Sequence, residues 1–226
     1  MNPPIAKKIA HEDNTHDDRR IDNYYWLRNK ESEEVIDYLK AENAYTENVT
    51  EHTKALQETL YKEFISRINE TDLSVPVKIK DYYYYSRTEK GKNYSIYCRK
   101  KGSLEAEEEV MLDGNQLAEG KDYFSLGTYS LSTNHNLLAY SVDFDGSEQY
   151  DIYVKDLTTG ELLADKIEKT AGRIVWANNN QTFYYSTLDE TLRPYRLYRH
   201  DLGKTADKMV FEEPDGRFFL YHLFFL

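Results

Sequence analysis

The chain has 226 residues and carries 40 acidic against 29 basic side chains, a net charge of -11. That length can bury one or two cores, while the charge excludes a surface that tracks a nucleic-acid backbone or an anionic membrane, since both need concentrated positive charge. Its single cysteine, Cys98, excludes an intrachain disulfide or a cysteine-based metal cluster.

Residues 1–20 are polar, with Pro3-Pro4 and a charged stretch from His11 to Arg20, and read as an extended arm held by contacts elsewhere. Lys7 and Lys8 are followed by no apolar segment, so the sequence lacks a secretion signal and the expected location is the cytoplasm. Tyr24-Tyr25-Trp26-Leu27 supplies an aromatic packing knot. Ser32 is placed to cap a helix whose first turn holds Glu33 and Glu34. Tyr45, Val49, Leu56, Leu60, Phe64 and Ile68 then recur at helical spacing as an expected buried stripe, with Lys54, Glu58, Lys62 and Arg67 largely between them. Propensity weakens at Glu47-Asn48-Val49-Thr50, where the helix is expected to bend or split. His52 falls near the stripe without metal spacing and reads as a packing or surface residue. Residues 1–72 are thus an arm and helical region.

After Pro76 the period drops toward two. Tyr82-Tyr83-Tyr84-Tyr85-Ser86-Arg87, a turn around Glu89-Lys90-Gly91-Lys92, and Tyr94-Ser95-Ile96-Tyr97-Cys98-Arg99 read as a hairpin. The 21 tyrosines suit amphipathic sheets. Leu138-Ala139-Tyr140-Ser141 and Tyr150-Asp151-Ile152-Tyr153-Val154-Lys155-Asp156-Leu157 return 45 residues later as Phe183-Tyr184-Tyr185-Ser186 and Tyr195-Arg196-Leu197-Tyr198-Arg199-His200-Asp201-Leu202. A period in the forties without an intervening helix is the spacing of four-stranded propeller blades. Ser132-Thr133-Asn134-His135-Asn136 and Ala177-Asn178-Asn179-Asn180-Gln181 precede equivalent strands and read as tight turns. Asp143, Asp145 and Glu148 lie in an acidic connection read as a solvated turn rather than a calcium loop.

The sequence offers no self-contained catalytic machinery. There is no Gly-x-Ser-x-Gly nucleophile elbow and no His-Glu-x-x-His. Gly203-Lys204-Thr205 has Tyr198 where a phosphate-binding loop needs glycine. Glu107-Glu108-Glu109 and Glu212-Glu213 read as solvated charge, His135 and His200 have no convergent ligands in sequence, and Cys98 reads as a sheet residue without a neighbouring base. No catalytic, cofactor-binding or metal residue is therefore named, no cofactor is expected, and no membrane or nucleic-acid partner is expected.

These features together resemble the N-terminal portion of the prolyl oligopeptidase family of serine peptidases, in its oligopeptidase B branch. The resemblance is carried by Asp22-Asn23-Tyr24-Tyr25-Trp26-Leu27-Arg28, by Tyr38-Leu39-Lys40-Ala41-Glu42-Asn43-Ala44-Tyr45-Thr46, by Ser74-Val75-Pro76, by Tyr97-Cys98-Arg99-Lys100-Lys101-Gly102-Ser103-Leu104-Glu105, by Lys155-Asp156-Leu157-Thr158-Thr159-Gly160-Glu161 and by the 195–203 stretch. It spans residues 3–219 and weakens beyond Phe219. The resemblance implies a mainly β chain with an N-terminal helical arm, followed over residues 73–226 by about three opening blades of an incomplete seven-bladed β-propeller, with the catalytic α/β-hydrolase domain absent. It further implies that the complete enzyme cleaves oligopeptides after Arg or Lys, that the propeller gates access, and that a C-terminal hydrolase domain is the missing partner. The alternative is a noncatalytic interaction module built from propeller blades.

The run Phe218-Phe219-Leu220-Tyr221-His222-Leu223-Phe224-Phe225-Leu226 is apolar, aromatic and free of proline and glycine, a composition suited to pairing between strands of different molecules. The polypeptide 1–226 is expected to self-associate when expressed alone, and 1–217 to do so less. Size-exclusion chromatography with light scattering checks this, and a concentration-independent monomer for the longer polypeptide counts against it.

Overall fold

Rather than extending as an arm, the charged stretch folds on itself. In the computed structural model, which describes residues 2–220, β1 (His11–Thr15) and β2 (Asp18–Asp22) form an antiparallel hairpin with His11 opposite Asp22 and Thr15 opposite Asp18. The turn needs two residues of positive φ, and His16 at 53° and Asp17 at 63° provide them; aspartate and histidine enter that region more readily than most side chains. Arg19 bonds Glu12 across the strands at 2.5 Å. The aromatic knot follows as a short 3₁₀ turn, Tyr25–Arg28. Within it Trp26 donates its indole N–H to Lys7 O at 3.0 Å and meets Tyr38 edge-on, while Tyr25 stacks on His11.

Helices α1 (Glu33–Thr50) and α2 (Lys54–Ser66) are separated by a 3₁₀ turn at Glu51–Thr53, immediately after the segment where propensity weakens. Ser32 occupies the cap position with extended backbone, but its side chain makes no capping bond. The expected buried stripe is amphipathic yet uncovered: Val49, Leu56, Leu60, Phe64 and Ile68 are exposed, and Val35 is the buried apolar residue of α1. Spacing sorts apolar side chains onto one face of a helix; it does not supply the surface that covers them. These elements belong to a first unit, Met1–Asn69, and the rest to a second, Glu70–Leu226.

The second unit is built from antiparallel meanders. The first is β3 (Val77–Ile79), β4 (Tyr82–Arg87), β5 (Ile96–Lys101) and β6 (Glu108–Asp113). Its central hairpin pairs Tyr85 with Cys98 and Arg87 with Ile96. A one-turn helix α3 (Gly114–Ala118) follows, capped by the Asp113 carboxylate, which accepts from the amides of Asn115 and Gln116.

Seven strands then share one hydrogen-bonded sheet in chain order: β7 (Ser125–Leu131), β8 (Leu137–Asp143), β9 (Tyr150–Asp156), β10 (Leu162–Trp176), β11 (Thr182–Leu188), β12 (Pro194–Asp201) and β13 (Lys208–Glu212). They are two blades joined through β10. Its first half pairs with β9, and its second half with β11. Together with the first meander this is a partial propeller of three blades, with no hydrolase domain among the described residues.

The 45-residue repeat is visible in three dimensions. Tyr140 stacks on Tyr153 with ring centres 5.7 Å apart, and their repeat equivalents Tyr185 and Tyr198 stack at 5.6 Å. Both predicted tight turns form, closed by Ser132 N–H to Leu137 O at 2.9 Å and Ala177 N–H to Thr182 O at 2.8 Å. Two residues before the second strand of each blade the backbone takes positive φ, at Lys80 (53°), His135 (63°) and Asn180 (60°).

Alternation along β8 distributes its side chains between two cores. Leu138, Tyr140 and Val142 pack with Tyr84, Met111, Leu112 and Phe124 against the first blade. Ala139 joins Ile152, Val154, Ile174, Trp176, Phe183 and Tyr185 on the other side. Leu138, Val142, Ile152, Val154 and Phe183 are essentially inaccessible, each contributing about 1.5–3 kcal/mol of transfer free energy. Trp176 also donates its indole N–H to Ser130 O at 2.9 Å.

The joint inside β10 demands glycine. Gly172 has φ +81°, and a Cβ there would lie 2.9 Å from the Tyr150 ring; Gly160 has nearly the same φ, +80°, but open space around it. Alanine at Gly160 is therefore expected to cost about 1–2 kcal/mol from backbone strain alone, and alanine at Gly172 clearly more, because Tyr150 must also move. Urea unfolding of the two variants checks this, and equal losses would show that the Tyr150 contact is not the constraint.

Candidate functional site

Chemistry-bearing side chains of the second unit collect where blades meet. The densest cluster surrounds His200, whose position on β12 turns it inward to 3 % exposure. Its Nδ1 lies 2.7 Å from Asp207 Oδ1 and its Nε2 2.9 Å from Asp165 Oδ1. Tyr185 donates its hydroxyl to Asp207 Oδ2 at 2.6 Å, and Gly203 N–H donates to Asp165 Oδ1 at 2.6 Å. Burial, reinforced by the Asp207 carboxylate, holds the Tyr185 phenol far above its usual range, so it stays a donor. The cluster borders a cleft of about 510 Å³ that also reaches Lys166, Lys204 and Thr205. Asp165 is 35 residues from His200 in sequence and Asp207 is seven, so no local motif announces the group. Both imidazole nitrogens face carboxylates at hydrogen-bond distance, so neither is open to an external nucleophile.

A second cluster lies between the first two blades. His135 is 7 % exposed and its Nδ1 is 2.5 Å from the Tyr84 hydroxyl. Arg99, 3 % exposed, donates to His135 O at 2.5 Å and pairs with Glu109 at 2.7 Å. A separate cleft of about 900 Å³ is lined in part by Arg87, Lys92, Asp113, Lys121 and Lys155. Burial lowers the basicity of the Lys155 amine, which donates to Met111 O of the adjoining blade at 3.0 Å.

Several residues read as solvated charge are structural instead. Glu108 accepts from Tyr85 at 2.7 Å and from Arg87 at 3.1 Å, Glu109 neutralises the buried Arg99, and Glu212 pairs with Arg196 at 3.3 Å. Asp143 is 2 % exposed, and its carboxylate accepts from the amides of Asp145, Gly146 and Glu148. The acidic connection is a turn, but its first carboxylate is the buried strut that shapes it, a replacement for missing backbone partners.

Other candidates stay where the sequence put them. His52 is at the surface, with Nδ1 3.0 Å from Val49 O. Gly203 sits in a turn at φ +75° that leads to β13 rather than to a helix. Among the described residues no group of three or more His, Cys, Asp or Glu is placed to hold a metal ion, and no helix is long and apolar enough to cross a membrane.

Residues 3–224 match the family model described as "Prolyl oligopeptidase, N-terminal beta-propeller domain". The match passes Phe219, where the sequence reading had the resemblance weaken; residues 221–226 lie outside the described structure. Protease 2 of Moraxella lacunata is 40% identical over 98% of this chain and 33% of its own length. Dipeptidyl aminopeptidase BI of Pseudoxanthomonas mexicana is 39% identical over 96% and 33%. Among solved structures, oligopeptidase B from Leishmania major superposes with a TM-score of 0.84 at 34% identity, covering 95% of this chain and 33% of that one. The chain thus spans about a third of the length of these relatives.

Cys98 is fully buried, and burial together with the nearby Glu108 carboxylate pushes its thiol up to about 11. Since the thiolate is the reactive form, Cys98 is expected to resist a thiol reagent at about pH 8 in the folded chain and to react promptly once urea unfolds it. Rapid labelling of the folded chain counts against this.

Proposed function

The chain belongs to the prolyl oligopeptidase family, and from that premise we propose that it forms the opening blades of the propeller of a cytoplasmic serine oligopeptidase whose complete form cleaves oligopeptides on the carboxyl side of Arg or Lys. The observation that carries this reading is the one-sided coverage: nearly all of this chain superposes on about a third of oligopeptidase B. The exposed apolar side chains support it. Leu56, Phe64 and Ile68 on the helical stripe, Val77 and Ile79 on β3, and Met209, Val210 and Phe211 on β13 are all exposed, as expected of surfaces that further blades and a hydrolase domain cover.

In the complete protein an activated serine attacks the peptide carbonyl, an imidazole shuttles the proton, and water releases the acyl-enzyme. The propeller's part is steric: it admits short peptides and turns folded proteins away. Cleavage preference is set elsewhere, because this region is almost equally similar to two relatives bearing the names of different peptidases.

The polypeptide 1–226, freed of contaminating proteases, is expected to show no turnover of Arg- or Lys-containing fluorogenic peptides. The reading frame beyond Leu226 is expected to encode a Gly-x-Ser-x-Gly elbow, and the product of that longer frame to show serine-dependent cleavage after basic residues. Reproducible turnover by 1–226, or a longer product with no preference for Arg or Lys, would overturn the assignment.

A further inference from the structure

The turn between β7 and β8 is where the second blade grips the first, and its grip passes through a titratable ring. We propose that His135 is an acid-sensitive latch: neutral, it locks the second blade to the first; protonated, it releases that joint while the joint between the second and third blades stays closed.

Three hydrogen bonds cross from the first blade to this five-residue turn. The Tyr84 hydroxyl meets His135 Nδ1 at 2.5 Å, Arg99 donates to His135 O at 2.5 Å, and Lys80 Nζ donates to Thr133 O at 2.5 Å. The imidazole also stacks on Tyr82, with planes 11° apart. His135 holds φ 63° because its own amide must close the turn on Ser132 O, at 2.8 Å. The backbone therefore fixes the direction in which the side chain leaves the turn.

Burial raises the Tyr84 phenol, so it keeps its hydrogen and can donate it to Nδ1, 2.5 Å away, when the ring is neutral. A charged imidazole only donates, so protonation forces this bond to reverse while placing a positive charge in a buried site beside Arg99 and Lys80. The groups facing the ring from the first blade are Lys80 and Asp81 from the β3–β4 turn, Tyr82 and Tyr84 from β4, and Arg99 from β5 with Glu109 of β6 bound to it. Ser132, Thr133, Asn134 and Asn136 of its own turn carry no charge. Burial, then Lys80, then Arg99 disfavour the charged ring, against a smaller opposite pull from Asp81. A folded state that prefers the neutral ring is stabilised above the ordinary imidazole value of 6.5 and loses that stabilisation as pH falls below it.

The repeat supplies an internal control. Asn180 occupies the equivalent turn of the third blade with φ 60°, and its side-chain oxygen accepts from Asn134 N at 2.7 Å. That bond crosses the next joint and itself contains nothing that titrates near neutrality, although the same joint also holds His200 against Asp165.

Hydrogen exchange read by mass spectrometry on the 226-residue chain, at about pH 7.5 and about pH 5 with intrinsic rates corrected, tests the latch. Segment 132–138 is expected to lose protection several-fold more than segment 177–183 on acidification. In His135→Asn, which keeps a side chain tolerant of positive φ, the excess loss is expected to vanish. Parallel behaviour of the two segments in the unsubstituted chain overturns the proposal whether or not the variant folds, and so does an excess that persists in the variant.

Discussion

Strand β10 runs for fifteen residues without keeping one partner along its length. Leu162, Lys166 and Ile167 pair with β9, Ile174, Val175 and Trp176 pair with β11, and Thr170 alone has a partner in both. A strand that leaves one sheet for another must turn its pleat at the crossing. Lys169 at φ 57° and Gly172 at φ +81° do so on either side of Thr170. The polar groups freed there are taken up locally: Thr170 donates to Tyr150 O at 2.8 Å, and Ser141 donates to Gly172 O at 2.7 Å while accepting from Thr128 N. Tyr150 fills the space between Gly127 and Gly172, where any larger residue would collide with its ring.

Once that crossing is fixed, the remainder follows from alternation. Blades stacked face to face give each strand two neighbours, so successive residues of β8 serve different cores. Hydrophobic burial is non-directional and would tolerate sliding of one blade on another. Register between blades comes from directional bonds: Lys155 to Met111 O and Arg99 to His135 O at one joint, Trp176 to Ser130 O and Asn134 N to Asn180 at the next. Most of them end on backbone oxygens, which are present whatever the side chain. That is an economical way to lock blades whose side chains differ.

The sequence made the blades legible because each is a local object. Period-two alternation, tight turns and the 45-residue repeat all act within a few tens of residues, and the hairpin at Tyr82–Arg87 and both Asn-rich turns formed where that grammar put them. The β1–β2 hairpin was missed because its strands carry no apolar alternation, Ile21 being their one apolar side chain, and its turn depends on His16 and Asp17, not on glycine. The helical spacing identified an apolar face but not its exposure. The clusters at His200 and His135 were illegible for a different reason: each needs a partner from a strand tens of residues away, and only the stacking of blades brings Asp165 to His200 or Tyr84 to His135. Runs of glutamate misled in the opposite direction, since composition cannot distinguish Glu107 from Glu109, which neutralises a buried arginine.

The same stacking explains the fate of the reactive side chains in the second unit. An imidazole becomes a base when one nitrogen is held and the other is open to a substrate. Here both nitrogens of His200 face carboxylates, and the His135 ring is buried against two tyrosines. A thiol becomes a nucleophile when its pKa falls, and that of Cys98 rises. The buried guanidinium of Arg99 and the half-buried amine of Lys155, groups that could stabilise developing negative charge, donate to backbone oxygens of the neighbouring blade. These assignments come from the same demand: a blade joint buries polar atoms, and burial without a partner costs about 1–3 kcal/mol for each group. Among the described residues of the second unit, these groups able to do chemistry are thereby engaged in holding blades together.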